Sequence, residues 1–182
     1  FADFRARLPS QVHPRAVRAT VLLFLNTTQH PFDDVRVRRA VNFAVDRAAI
    51  AGSSDSSPTC QLRPPGTVGF RRYCPYTAAP NAAGEWRAPD LARARRLVSA
   101  SGTQGTSVTV WTYGKYPGFW EQVVQGSVDA LEDLGYRVRI RRAKDLPAYM
   151  ERVADVRTRG VQAGVIGWYG PPPKASSLLD IF

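Results

Sequence analysis

The sequence predicts an α/β fold, a sheet with helices packed across its faces. Short β-branched and aromatic stretches alternate with longer stretches of helical periodicity. Glycines stand where the helical stretches stop, at Gly52, Gly102 and Gly135. The 182 residues, 44% hydrophobic and 22% charged, have the mix of a globular chain long enough to bury a core, so residues 1–182 are read as a single domain.

Each element has its own signal. Thr20 to Asn26 is apolar and β-branched, a buried strand, and Thr27 to Phe32 is the loop after it. Asp33 and Asp34 place carboxylates where a helix begins, with Asp33 read as the cap. Val37, Ala40, Val41, Ala44, Val45 and Ala48 share one face of a single helix, which Gly52 and the serines after it end. Asp46 and Arg47 read as a local ion pair worth little at a surface. Pro89 opens the next helix, whose inner stripe is Leu91, Ala94, Leu97 and Val98, with Gly102 closing it. Ser107 to Trp111 alternates as a strand. Trp120, Val124, Val128, Leu131 and Leu134 line a helix that Gly135 ends. Tyr136, Val138 and Ile140 alternate with arginines in a half-exposed strand, Leu146, Tyr149, Met150 and Val153 mark a fourth helix, and Val161 to Trp168 a last strand.

Residues 53–88 show no sustained periodicity, and a connection that long commonly carries function or a covalent clip. It holds both cysteines, Cys60 and Cys74, among Pro58, Pro64, Pro65 and Pro75. They read either as unrelated buried thiols or as a disulfide. The disulfide is the expectation, because a segment this rich in Pro and Gly has little other means of holding shape. Closing such a loop contributes about 3 kcal/mol in the chain-entropy model and belongs outside a reducing cytoplasm.

The formal net charge of +10 is almost all arginine, spread from Arg5 to Arg159, with only Lys115, Lys144 and Lys174 as lysines. No nucleic-acid motif accompanies it, so a dispersed solvated face is read and no specific nucleic-acid partner is expected. Arg71 and Arg72 are weighed as an anion site and read as solvated loop charge. Two thiols without neighbouring histidines make no metal site, and His13 and His30 have no nucleophile or paired carboxylate beside them. No catalytic residue and no cofactor are expected. The longest apolar run, Val21 to Leu25, is far too short to cross a bilayer, and the first residues look like mid-protein sequence, so a fragment of something longer is expected.

In α/β sheets ligands meet the loops at the carboxyl ends of strands. That singles out Tyr113 and Tyr116 after one strand, and Gly167, Trp168 and Tyr169 at the end of another. Large aromatics with a polar edge suit stacking on a ligand. Trp111 is a candidate too, with burial in the sheet the stronger reading, and Asn26 is a candidate at a strand end where asparagine often bonds turn backbone.

Longer patterns carry a resemblance. Phe24-Leu25-Asn26-Thr27-Thr28, then Pro31-Phe32-Asp33-Asp34-Val35-Arg36-Val37-Arg38 running on to Ala44-Val45-Asp46-Arg47, is similar to the family 5 extracellular solute-binding proteins, the binding components of peptide, dipeptide and nickel ABC importers. Ala88-Pro89-Asp90-Leu91-Ala92, Leu131-Glu132-Asp133-Leu134-Gly135-Tyr136-Arg137-Val138 and Gly167-Trp168 match further family motifs in order. The resemblance implies a type II periplasmic-binding-protein-like lobe: the second of two lobes hinged around a ligand cleft, with residues 1–19 as the lead-in that crosses between them. It implies a small-molecule or peptide ligand, an absent first lobe and an ABC permease as partners, and an extracytoplasmic place as a membrane-anchored lipoprotein. Lobes of this kind also serve as solute-sensing domains of regulatory or signalling proteins, in which case the place is cytoplasmic. Relatives that bind peptides carry an aspartate shortly after Gly-Trp that holds the peptide's α-amino group. Here Tyr169-Gly170-Pro171-Pro172-Pro173 follow, with no carboxylate before Asp180. Burying an ammonium without a partner costs several kcal/mol, so a sugar, a blocked peptide or another solute fits as well as a free peptide.

Overall fold

A computed structural model describes residues 2–8, 10–11, 13, 19–52, 56–65, 69–115, 118–155, 157–158 and 160–169. In chain order the elements are α1 (Ala2–Arg7), β1 (Ala19–Leu25), α2 (Val35–Ala44), α3 (Arg47–Ala51), α4 (Leu91–Ser101), β2 (Ser107–Tyr113), α5 (Phe119–Asp133), β3 (Arg137–Ala143), α6 (Leu146–Val153) and β4 (Ala163–Tyr169). The strands form one sheet in the order β1-β4-β2-β3, with β2, β3 and β4 parallel and β1 antiparallel to β4.

The layering follows from the direction of the crossovers. The chain leaves β2 through α5 to reach β3 at the sheet edge, then returns through α6, past β2, to β4. Crossovers in parallel sheets are right-handed, so stepping outward and then back puts the two helices on opposite faces. Alternate residues of β4 register this. Ala163 and Val165 join the main core with Val108, Val110, Val37, Ala40, Ala94, Val98, Val124 and Leu131, under α2, α4 and α5. Gly164, between them, faces the other way, where a Cβ would lie 2.6 Å from the Tyr149 hydroxyl of α6.

Four helix starts carry an aspartate whose side chain accepts from backbone N–H groups of the first turn: Asp34, Asp46, Asp90 and Asp145. Three of these correct the sequence reading. The cap of α2 is Asp34, which accepts from Arg36 N at 2.7 Å, whereas Asp33 is exposed and faces His30. The expected single helix from Val37 past Ala48 is two: Val45 leaves helical geometry, and Asp46 takes an extended conformation and accepts from Ala48 N and Ala49 N. Ala48 is therefore exposed. Asp46 and Arg47 form no ion pair; burial disfavours the charge on Arg47, which is held by hydrogen bonds to the Asn42 backbone and side-chain oxygens. In α4 the cap is Asp90 and Pro89 lies just outside it, while Gly102 closes the helix in the left-handed conformation as expected. Of the apolar stripe expected on α6 only Tyr149 is buried; Leu146 and Met150 are exposed.

Residues 53–88 contain no helix or strand among those described, and Cys60 and Cys74 are disulfide-bonded. The segment is stitched down toward its later end. Tyr76 packs edge-on to Phe43 of α2, and the buried Thr77 hydroxyl accepts from Arg87 N and Ala88 N while donating to Ala88 O.

Candidate functional site

Because β2, β3 and β4 are parallel, their carboxyl ends open at one pole, together with the start of β1 and the first turns of α5 and α6. The chain leaves β2 and β3 toward opposite faces, the arrangement that opens a crevice in such sheets. Arg142, in the last turn of β3, spans it. Its guanidinium donates to Glu121 Oε1 of α5 at 2.6 Å and to Gly114 O at 3.3 Å, and Gly114 N donates to Ala143 O at 3.0 Å. The turn after β2 is thus fixed to its neighbouring strand.

Tyr113 is the last residue of β2 rather than part of the loop after Trp111. Its ring lies 4.9 Å from that of Trp120 and 5.3 Å from that of Tyr149, both tilted near 50° rather than stacked flat, as ring quadrupoles favour. Each neighbour is fixed in turn. The Trp120 indole donates to Thr112 Oγ1 at 3.1 Å, and the Tyr149 hydroxyl donates to Val165 O at 2.9 Å. Burial, and then the neighbouring Tyr113, push the Tyr149 phenol well above its ordinary value, so it remains a hydrogen-bond donor at any physiological pH.

The parallel register between β2 and β4 is Val110↔Ala163 and Trp111↔Gly164, so Gly167, Trp168 and Tyr169 run on past the level of Tyr113. Their partner there is β1, through Ala19↔Tyr169, Thr20↔Trp168 and Val21↔Gly167. The corner is a two-stranded ribbon projecting beyond the rest of the sheet. Trp168 is partly exposed, and among the described residues none accepts from its indole N–H. The Tyr169 side chain, Tyr116 and residues 170–182, the Pro171 stretch among them, lie outside the described residues.

The structure therefore gathers Tyr113, Gly167 and Trp168 at one pole and sets the other candidates apart. Trp111 points away from it, its indole donating to Gly160 O at 2.9 Å with the Arg152 guanidinium 5.1 Å from its ring centre. Asn26 is at the opposite pole, because β1 runs against β4; buried, it donates to Val161 O and accepts from Thr28 N and Thr28 Oγ1. Arg72 of the weighed anion pair is salt-bridged to Glu85. Three residues at or beside the pole went unmarked by sequence reasoning: Arg142, Thr20 and Leu62. The hydroxyl of Thr20, buried, donates to Leu62 O at 2.8 Å, a contact across 42 residues that no local pattern signals.

Comparison with known proteins places this arrangement. Residues 6–182 match the pattern of bacterial extracellular solute-binding proteins, family 5 Middle. A glutathione-binding protein, GsiB, of Salmonella choleraesuis is 29% identical over 150 residues, covering 80% of this chain and 26% of its own length. The GsiB of Escherichia coli K12 is 27% identical over the same share. This chain spans about a quarter of the length of these relatives. Among solved structures, OppA of Burkholderia pseudomallei superposes with a TM-score of 0.78 at 19% identity over 100% of this chain and 35% of its own. A periplasmic DppA of Helicobacter pylori in complex with the peptide STSA gives 0.75 at 20% identity over 99% and 33%. These likenesses fix the fold as the type II periplasmic-binding kind. The chain belongs to the bacterial extracellular solute-binding proteins of family 5, and residues 6–182 are their middle segment.

Proposed function

We propose that this chain is one lobe of a two-lobed binding protein that captures a small solute outside the cytoplasm and delivers it to an ABC permease, with the whole protein tethered to the membrane by a lipid. The lobe supplies one wall of the cleft and performs no chemistry on the solute. The observation that carries this reading is the single pole at which the Tyr113–Trp120–Tyr149 cluster, the Arg142-fixed turn and the projecting β1–β4 ribbon converge. Ribbon strands that outrun their own sheet suit a crossing to a second body, and closure of two such bodies around a solute is a hinge motion. Aromatic faces held by their own polar edges give rigid contact area that loses little entropy on binding. No helix among the described residues is long and apolar enough to cross a membrane.

Solutes borne by relatives and neighbours, glutathione and short peptides, are the first to try. Isothermal titration of the complete gene product with glutathione, Met-Leu and the peptide STSA is expected to give saturable binding to one of them or, failing that, a co-purifying solute by mass spectrometry. The 182-residue chain alone is expected to bind at least about tenfold more weakly, since it buries one side of the solute only. Complete protein that neither binds nor co-purifies with any solute would end the capture reading.

A further inference from the structure

We propose that the Cys60–Cys74 loop is a fixed flank of the ligand site, braced onto the Trp168 corner through Thr20; its ligand-facing half rests on the solute-binding reading above. Thr20 and Trp168 are directly opposed in the β1–β4 register. Directly opposed antiparallel residues hold their Cβ atoms about 4.5–5.5 Å apart on the same side of the ribbon. The Thr20 hydroxyl, in a residue only 7% exposed, donates to Leu62 O at 2.8 Å. The loop thus meets the ribbon at the one cross-strand pair that includes Trp168.

The loop is built to transmit that contact rather than to drape over it. The disulfide joins its two arms, with Cα atoms 5.0 Å apart. Between the arms the Gln61 side chain donates to Arg71 O at 2.8 Å and Arg63 Nη1 to Gly69 O at 3.2 Å, so the arms are laced along their length. Thr59 Oγ1 accepts from Gln61 N at 3.1 Å, and Cys74 and Pro64 are buried. The far arm is anchored to the domain. Tyr76, two residues past Cys74, packs on Phe43 of α2, and a Cβ on Gly84 of the same connection would collide with Arg72 O, so only glycine lets that backbone close on the far arm. A rigid path therefore runs from the helical face, through the disulfide, to β1 beside Trp168. β1 is also an edge of the described sheet, and covering an edge with a loop is a common protection.

The test combines hydrogen exchange with titration by glutathione and Met-Leu, on the complete protein as wild type, Thr20→Val, Thr20→Ser and Cys60→Ser with Cys74→Ser. Thr20→Val keeps the shape and removes one hydrogen bond of ordinary strength. It is expected to speed exchange about fivefold in residues 19–25 and 163–169 and to weaken the bound probe by about the same factor, with α4 unchanged. Thr20→Ser keeps the hydroxyl and restores both values, and the double serine variant exceeds the Thr20→Val effect. A bond serving only global stability would instead speed exchange everywhere and leave affinity intact. Unchanged exchange at 163–169 in the valine and double serine variants overturns the brace, and faster exchange with unchanged affinity overturns the flank. If wild type binds neither probe, the flank falls, while the brace is still decided by exchange and the solute reading by the peptide STSA and the co-purifying solute.

Discussion

Replacing Gly164 by alanine tests the layering of the whole sheet with one methyl group. Gly164 has no unusual backbone angle, so alanine there adds no strain of its own and, by restricting the unfolded chain, is worth about 0.4–1 kcal/mol in favour of folding. Against that, the new Cβ would lie 2.6 Å from Phe24 Cε1, 2.7 Å from Phe24 Cζ and 2.6 Å from Tyr149 Oη. Neither neighbour yields easily. Phe24 is the cross-strand partner of Gly164, and Tyr149 is fully buried with its hydroxyl committed to Val165 O. Three contacts under 3.0 Å put the overpacking in the upper part of its usual range, about 2–3 kcal/mol, so the net loss is about 1–2.5 kcal/mol. For a chain of this size that lowers Tm by about 2–10 °C, readable by circular dichroism. Adding Phe24→Leu opens the space, and the double variant is expected to show a favourable coupling of about 0.5–3 kcal/mol. A Gly164→Ala melting point equal to or above that of wild type, or no coupling to Phe24, would mean that α6 does not press on this face and that the layering is wrong.

The remaining expectations use the same chain. Arg36, hydrogen-bonded to Asp34, holds the Asp34 carboxyl below its ordinary value, so its stabilisation is complete above the unfolded pKa and is lost as pH falls through the lower folded one. Asp34→Asn, which keeps a capping oxygen, is expected to flatten the loss of the urea midpoint between pH 5 and pH 3, and an unaltered slope would refute the assignment. Asn26→Ala strands the buried Val161 O, removes the acceptor of Thr28 N, and is expected to cost about 1–3 kcal/mol in urea unfolding. The same substitution is expected to leave affinity for a bound probe unchanged, because Asn26 is at the far pole. Gln162→Ala removes the side-chain oxygen that accepts from Thr109 N at 2.8 Å, and the expected result is faster exchange at Thr109.

Most elements were legible because their signals are local. Alternation set β2 and β3, the apolar stripe of α5 emerged as read, and the stops at Gly102 and Gly135 held. Errors arose where a local signal had a local competitor. Val45 and Ala48 continue the helical period of α2, yet Asp46 can accept two backbone hydrogen bonds at the price of breaking the helix, and the structure takes that exchange. Gln162 shows the same limit at longer range. β4 begins only beside Val110, and the Gln162 amide stands in for a strand residue at Thr109, which no periodicity announces.

The candidate site was half legible for a related reason. An aromatic residue at a strand end is visible in sequence, but which pole that end occupies depends on strand direction, a property of the assembled sheet. Tyr113 and Trp168 share a pole because β2 and β4 are parallel; Asn26 stands apart because β1 is not. The same reversal makes the ribbon possible. Only an antiparallel β1 can begin beside the end of β4, outrun the parallel strands with it, and present Thr20 to the disulfide loop. Strand direction thus settles both which aromatics share a pole and which loop stands beside them. The Cys60–Cys74 clip, which in sequence is only a means of holding a Pro-rich segment together, thereby becomes a neighbour of the Trp168 corner.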